Sequence, residues 1–338
     1  MQRRRLMLAG PVPVLAVPIL AMPILAMPIL AMPAITRAEA WPDRPIRIIV
    51  PSPPGDGSDS TARLWGHYLS EALGQPIVIE NRPGAGGRIG TEVAARAAPD
   101  GHTLVIGNAG SHGINPATQK DLPYDVPTAF APVALLVEAP NVLVVNRKAL
   151  PVASVEALIA AAKARPGALD FASGGPGSSA HMSMELLKAR AGIDLLHVPF
   201  RGAGAGLQAL ASGQPPVMFV NLPPALGFIR RGELAALAVT SVSRSPDLPD
   251  IPTVAETLPG FETVAWFGLL APAGTPRPII DRLHALCAEI GKRPDIVEKI
   301  RLIGGSVRDD GPEAFHARIR ADITKWRDLV RTANIVVE

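Results

Sequence analysis

The chain has 338 residues, 33 Lys and Arg against 30 Asp and Glu, and a single cysteine, Cys287. One cysteine excludes an internal disulfide. The net charge of +3 resides in the first forty residues: without their four Arg and one Glu, 29 basic side chains face 29 acidic ones, which removes the case for a nucleic-acid partner.

Arg3, Arg4 and Arg5 open the chain as a positive segment, and an apolar stretch follows in which "PILAM" repeats. Ala38-Glu39-Ala40 has the small-x-small form of a cleavage site. This pattern predicts a signal peptide over residues 1–40, removed on export to the periplasm. A membrane anchor of that length is the alternative, but proline recurs every five residues and the segment ends in the cleavage motif. Arg3-Arg4-Arg5-Leu6 only loosely resembles a twin-arginine motif, so the export route stays open. N-terminal sequencing of the periplasmic protein should read Trp41 first. An intact N-terminus on a membrane-bound product would refute this.

From Trp41 onward strand-like and helix-like segments alternate, over a length that suits two domains. "IRIIV" is a β-branched run. A helix follows from about Asp59, with Ala62, Leu64, Trp65, Leu69 and Leu73 on one face and Gly74 as its stop. "PIVIE", the helix "GTEVAARAAPDG" and "HTLVIG" complete a βαβαβ rhythm, which argues for a parallel, doubly wound sheet. The pattern restarts at "NVLVVN" and runs through "LDFAS", "SAHMSMELLKARAG", "DLLHVPF", "GAGLQALASG", "PPVMFVN" and "LAALAVT". Two helices close the chain, near 277–291 and 312–333. "APVALLVEAPNVLVVN" reads as a strand pair broken at Ala139-Pro140, and "FETVAWFGLLAPAG" as an extended return. These two segments predict crossings between two lobes, with hinges near Glu138–Val142 and Thr263–Phe267 and a ligand cleft between. Cys287 sits among Ile279, Leu283 and Leu286 at helical spacing, as a core residue.

The loops that end the strands carry the chemistry. In "VPSPPGDGSDST", Gly55 and Gly57 let backbone approach a ligand, and Ser58, Ser60 and Thr61 offer hydroxyls beside a helix N-terminus. Asp59 fits a helix cap as well as a ligand contact. Asp56 would repel a carboxylate unless it faces away or meets an ammonium group. "NRPGAGGRIG" loosely resembles a dinucleotide fingerprint, but Gly84, Gly86 and Gly90 have the wrong spacing, so close packing of loop on helix is the better reading. "GNAGSHG" superficially resembles a nucleophile elbow at Ser111, and a hydrolase would then need Asp247 or Asp250 with His284. "SGGPGSSAH" repeats the opening design, with Gly174, Gly175 and Gly177 before Ser178 and Ser179. His181 could contact ligand or cap the groove. No His, Cys, Asp or Glu cluster has metal-ligand spacing, and no P-loop is present.

Several stretches now carry a resemblance. "WPDRPIRIIVPSPPGDGSD", "GQPIVIENRPGAGGRIGTEVAARAAPDGHTL", "HVPFRGAGAGLQALASGQ", "MFVNLPPAL" and "WFGLLAPAGTPRPIIDRL" are together similar to the Bug-type receptors. These are the periplasmic substrate-binding proteins of tripartite tricarboxylate transporters, and the likeness covers residues 41–338. It implies an α/β, two-lobed type II periplasmic binding fold, each lobe a mostly parallel sheet flanked by helices, joined by two crossing strands. Residues 41–140 and 265–338 would form one lobe and 141–264 the other. It implies a non-catalytic, monomeric receptor without cofactor or metal. The receptor would close on a small organic acid and deliver it to integral-membrane transporter subunits. Carried over by motif, the ligand-binding residues are Pro54, Gly55, Asp56, Gly57, Ser58, Asp59, Asn108, Ser111, Gly175, Gly177, Ser178, Ser179, His181, Arg201, Gly202 and Asn221. The chain departs from the family in having Asp56 where Gly is usual and Phe200 where Tyr is common. It also lacks the acidic residues often found around "QPPVMFVN".

Overall fold

The computed structural model describes Gly10 and residues 41–302, 304–333 and 335. Apart from Gly10, the expected signal peptide and its Ala38–Ala40 cleavage motif lie outside these residues. Residues 41 onward fall within one compact unit, Ala40–Glu338.

Two sheets share one long strand. In the first, β1 (Ile46–Val50) pairs in parallel with β2 (Ile77–Asn81) and β3 (Thr103–Asn108). In the second, β5 (Asp170–Ser173) pairs in parallel with β6 (Leu196–Pro199) and β7 (Val217–Asn221). Strand β4 (Phe130–Val145) belongs to both. Its first part, to Pro140, lies antiparallel to β9 (Val264–Pro272), which in turn pairs with β3. From Asn141 it pairs with β7 and with β8 (Ala235–Val239). A short strand β10 (Ser306–Asp310) edges the first sheet beside β4.

The sequence reading placed a break at Ala139-Pro140. The structure instead shows one continuous strand of 16 residues. Register persists through Ala139↔Ala265 and Pro140↔Val264. Proline lacks only a donor, so it is tolerated where a strand leaves one set of partners for another. Helix Pro294–Leu302 and β10 were not anticipated from the sequence.

Both faces of both sheets are covered. Ile46, Ile48 and Val50 point into one cluster with Trp65 and Leu69, while Ile49 points into another with Trp266 and Phe315. Likewise Leu143, Phe171 and Phe219 face one side of the second sheet, and Val142, Ala172, Met218 and Val220 the other. Such near-continuous apolar strands are what a sheet buried on both faces requires. Helix Gly57–Leu73 ends at Gly74, whose left-handed φ of 67° is the conformation glycine adopts without strain and lets its N–H donate to Ser70 O. Cys287 is buried in the first cluster, and burial pushes its thiol up to about 12, which makes it inert.

The last long helix, Pro312–Ala333, is bolted to both shared strands. Arg318 Nη1 donates to Glu138 Oε1 on β4 at 2.8 Å, and Trp266 Nε1 on β9 donates to Asp322 Oδ2 at 2.6 Å. The sequence marked 138–142 and 263–267 as hinge segments. The structure puts them side by side, where β4 changes sheet.

Candidate functional site

Parallel strands point their C-terminal ends the same way, so the loops after them gather on one edge. Here the loops after β1, β2 and β3 meet those after β5, β6 and β7 around a cleft of about 660 Å³. That volume is within the range of small-molecule sites. Two walls face each other closely. A Cβ on Gly110 would lie 3.2 Å from Gly177 O, one on Gly86 3.3 Å from Pro176 O, and one on Gly202 3.8 Å from Pro53 Cγ.

The loop after β1 contributes Pro51, Ser52, Pro53 and Asp56 to the cleft. Pro54 and Gly55 are exposed and lie outside the lining. The helix starts at Gly57, two residues earlier than expected, and this reverses the roles of the two acids. Asp56 is the N-cap, its Oδ1 accepting from Gly57 N–H at 2.7 Å. Asp59 is buried beneath the loop. It accepts from Gly55 N–H at 2.9 Å, Arg63 Nε at 2.9 Å and Asn81 Nδ2 at 3.0 Å. Burial pushes the Asp59 carboxyl up, but the Arg63 and Gly55 bonds outweigh it and the pKa ends below the usual range. Asp59 therefore braces the loop and does not line the cleft. Gly57 does not line it either: a Cβ there would run into the Phe267 ring, so the glycine serves packing rather than ligand approach. Ser58 is buried and accepts from Asn108 Nδ2 at 3.0 Å.

The turn after β2 is the site element that the sequence reading missed. Gly90 does pack tightly, as expected: a Cβ there would be 2.7 Å from Arg82 O. Pro83 through Gly87, however, line the cleft. Gly84, Gly86 and Gly87 all have positive φ, and Ala85 has φ 47°, so the turn presents backbone rather than side chains. Its place at the end of a parallel strand was the available signal.

After β3, Asn108 lines the cleft with Ala109 and Gly110. Ser111 does not. It is fully buried, and its Oγ accepts from Asn108 N–H at 3.2 Å while Asn108 Oδ1 accepts from Ser111 N–H at 2.8 Å. Ser111 Oγ also lies 2.8 Å from His112 Nδ1. Burial drives the His112 ring down to about 3, and its Nε2 has no partner among the described residues. The acids and histidine that a hydrolase would need are elsewhere. Asp247 lies near Arg230 and Arg301, and His284 sits under Gly311. Ser111 is the buried third residue of a π-helical turn, Ala109–Ile114, and completes a capping box with the N-cap Asn108.

The loop after β5 supplies Gly174, Gly175, Pro176, Gly177, Ser178, Ser179 and Ala180. Gly175 and Gly177 have φ of 127° and 72°. Ser178 caps helix Ser179–Ala191, its Oγ accepting from His181 N–H at 3.2 Å. The N–H groups of Ser179 and Ala180 at the first turn have no helical partner. His181 does not reach the cleft. Its Nδ1 accepts from Gly177 N–H at 3.2 Å, and its ring stacks on His197, 4.0 Å between centroids. Burial, then His197 and Lys188, lower its pKa to about 3. The helix phase set by the Ser178 cap turns this ring away from the cleft.

Phe200, Arg201 and Gly202 after β6 and Asn221 at the end of β7 complete that wall. Arg201 is exposed and forms no ion pair among the described residues. Asn221 Nδ2 donates to Asn141 Oδ1 at 2.7 Å. Met218, Val220, Ala265, Trp266 and Phe267 form an apolar floor. Among the described residues no group of acids, histidines and cysteines could hold a metal.

A cleft made by two sets of strand-end loops, with backbone donors and an apolar floor, suits reversible capture of a small solute. The comparisons agree. A profile of the tripartite tricarboxylate transporter family receptor matches residues 61–335. The chain belongs to this receptor family. The receptor is 38% identical over 296 residues to protein BugT of Bordetella pertussis, covering 87% of this chain and 90% of BugT. Its fold is similar to R. palustris Rpa4515 with adipate at a TM-score of 0.83 and 37% identity, over 88% of this chain and 99% of that one. It is also similar to MatC from Rhodopseudomonas palustris with bound malate, at 0.81 and 35%, over 86% and 100%. The two-lobed periplasmic binding fold and the role of solute-binding receptor follow from this membership.

Proposed function

We propose that this receptor is exported to the periplasm after cleavage at Ala40 and there captures a small carboxylate-bearing organic acid for delivery to a membrane permease. It acts as a monomer. Lobes 41–140 with 265–338, and 141–264, close on the acid about β4 and β9. The observation that carries this reading is the N-terminus of helix Ser179–Ala191. Its unpaired N–H groups and the Ser178 and Ser179 hydroxyls open into the cleft, opposite backbone turns at 83–87 and 108–110. Helix-terminal N–H groups favour an anion without carrying a full charge themselves, and exposed Arg201 is the cation on the same wall. The structural relatives with adipate and malate support an acid of that size.

Calorimetry with short carboxylic acids should give stoichiometric binding without turnover. Ser179→Ala is the clean probe of the contact, because Ser178 also caps the helix. Ser179 Oγ reaches only Asn141 Oδ1 at 3.5 Å and Asn221 Nδ2 at 3.4 Å, so the fold loses little. Loss of one bond to a charged group should weaken binding about ten- to a hundred-fold. Unchanged affinity in a normally folded variant would remove Ser179 from the site.

A further inference from the structure

Only two charged side chains line the described cleft, and they stand on opposite walls: Asp56 after β1 and Arg201 after β6. They are not paired with each other. Asp56 occupies the N-terminus of helix Gly57–Leu73, the counterpart of the helix end at Ser179. The first wall's helix terminus therefore already holds a carboxylate, supplied by the protein. The Ser52 hydroxyl is near it without a hydrogen bond of normal geometry, and no Lys, Arg or His pairs with it among the described residues. Asp59 cannot relieve this, since it carries negative charge of its own and its partner Arg63 is committed to it. Burial raises the Asp56 pKa, against smaller lowering by Gly57 N–H and Ser52, and the Asp59 charge adds to the rise. An unpaired carboxylate in such a place favours a cation and opposes a second anion.

We infer that the cleft is bipolar and selects a zwitterion: a small amino acid whose carboxylate meets the Ser178–Ala180 helix end and Arg201, and whose ammonium group meets Asp56. This rests on the receptor reading above and narrows it. A plain dicarboxylate would set its second carboxylate against Asp56. A ligand ammonium would instead supply the missing partner for the free acceptor capacity of Asp56, a charge-assisted bond. The other lining groups fit. The turn at 83–87 brings no cation to the lining, and the Phe200, Met218 and Trp266 surface suits the methylene chain between the two ends.

The test is calorimetry on the mature protein with α- and ω-amino acids of two to six carbons, each set against the dicarboxylate of equal chain length. The best amino acid should bind at least about ten-fold more tightly than its dicarboxylate counterpart, the weight of one charge-assisted bond. Asp56→Asn keeps a good helix cap, so it should fold. It should weaken the amino acid about ten- to a hundred-fold and tighten the dicarboxylate. A wild type that prefers the dicarboxylate, or an Asp56→Asn variant with an unchanged ratio, would overturn this inference and leave the carboxylate receptor standing. Amino-acid binding that weakens as pH rises from acid to neutral would also overturn it, because Asp56 would then enter as a protonated donor and not as the partner of the ammonium group. If no compound of either series binds at millimolar concentration, both the inference and the carboxylate reading fall.

Discussion

Asn141→Leu is expected to destabilise the empty protein by about 2–4 kcal/mol, through buried polar groups left without partners. Asn141 is fully buried at the point where β4 changes sheet. Its Nδ2 donates to Ser183 Oγ at 2.9 Å, and its Oδ1 accepts from Asn221 Nδ2 at 2.7 Å. Its own N–H donates to Thr240 Oγ1 at 2.9 Å. Ser183 in turn lies 2.6 Å from Thr263 Oγ1, and Thr240 donates to Thr263 O. One amide thus ties β4, β7, helix Ser179–Ala191 and the start of β9 together. Leucine keeps the volume but strands Asn221 and one bond of Ser183. Thermal melting should show a drop on the order of 3–6 °C for a chain of this size. Binding should fail as well, because Asn221 and Ser179 both line the cleft. Asn221→Ala separates the effects: it should cost less stability, since it removes only the bond to Asn141 Oδ1 and a long one of 3.4 Å to Ser179 Oγ, yet still weaken the acid. An Asn141→Leu variant that melts with the wild type would show that the network adds nothing to the junction.

That residue also marks what the sequence could and could not show. β1, the helix behind it and the loop between are written locally, in a β-branched run, small residues and apolar spacing that ends at Gly74. The same holds for Ser178 and its helix, and the resemblance placed both in a two-lobed receptor. Asn141 looked like any polar residue in an extended run, because its meaning lies in partners 42 and 80 positions away. The exchanged roles of Asp56 and Asp59 come from a shift of two residues in where the helix begins, below the resolution of any spacing argument. His181 faces away for a similar reason of phase. β10 is short, polar and held by β4 alone, so nothing in its own composition announces a strand. The glycine turn at 83–87 was legible as unusual backbone. Its purpose was not, since close packing and ligand approach ask for the same residue: Gly90 packs against Arg82 O, while Gly84, Gly86 and Gly87 line the cleft.

Gly110→Val should reduce affinity about a hundred-fold or more while leaving the empty protein close to its normal melting temperature. Gly110 follows β3, and its bare Cα faces the loop after β5 across the cleft. A Cβ would sit 3.2 Å from Gly177 O and 3.9 Å from Ser178 Cα. Its φ is not in the positive range, so a side chain brings no backbone strain. Alanine would fit with a small shift. The branched methyls of valine extend further and meet backbone on the opposite wall, which can yield only if the walls part. Within its own wall the new side chain touches chiefly Asn108 Oδ1, at 3.1 Å from the Cβ, so the open form should tolerate it. Ligand contacts made by both walls at once exist only in the closed form, and affinity falls in proportion to the closed population. A hundred-fold loss corresponds to about 2.8 kcal/mol against closure. Gly57→Val is the informative contrast. Its Cβ strikes the Phe267 ring, so that variant should lower the melting temperature of the empty protein itself. Small-angle scattering completes the test. The wild type should become more compact at saturating acid, and Gly110→Val should keep the larger radius of the empty protein. If the variant binds and compacts like the wild type, the two walls do not need to meet at Gly110 and Gly177, and the closing motion about β4 and β9 loses its main support.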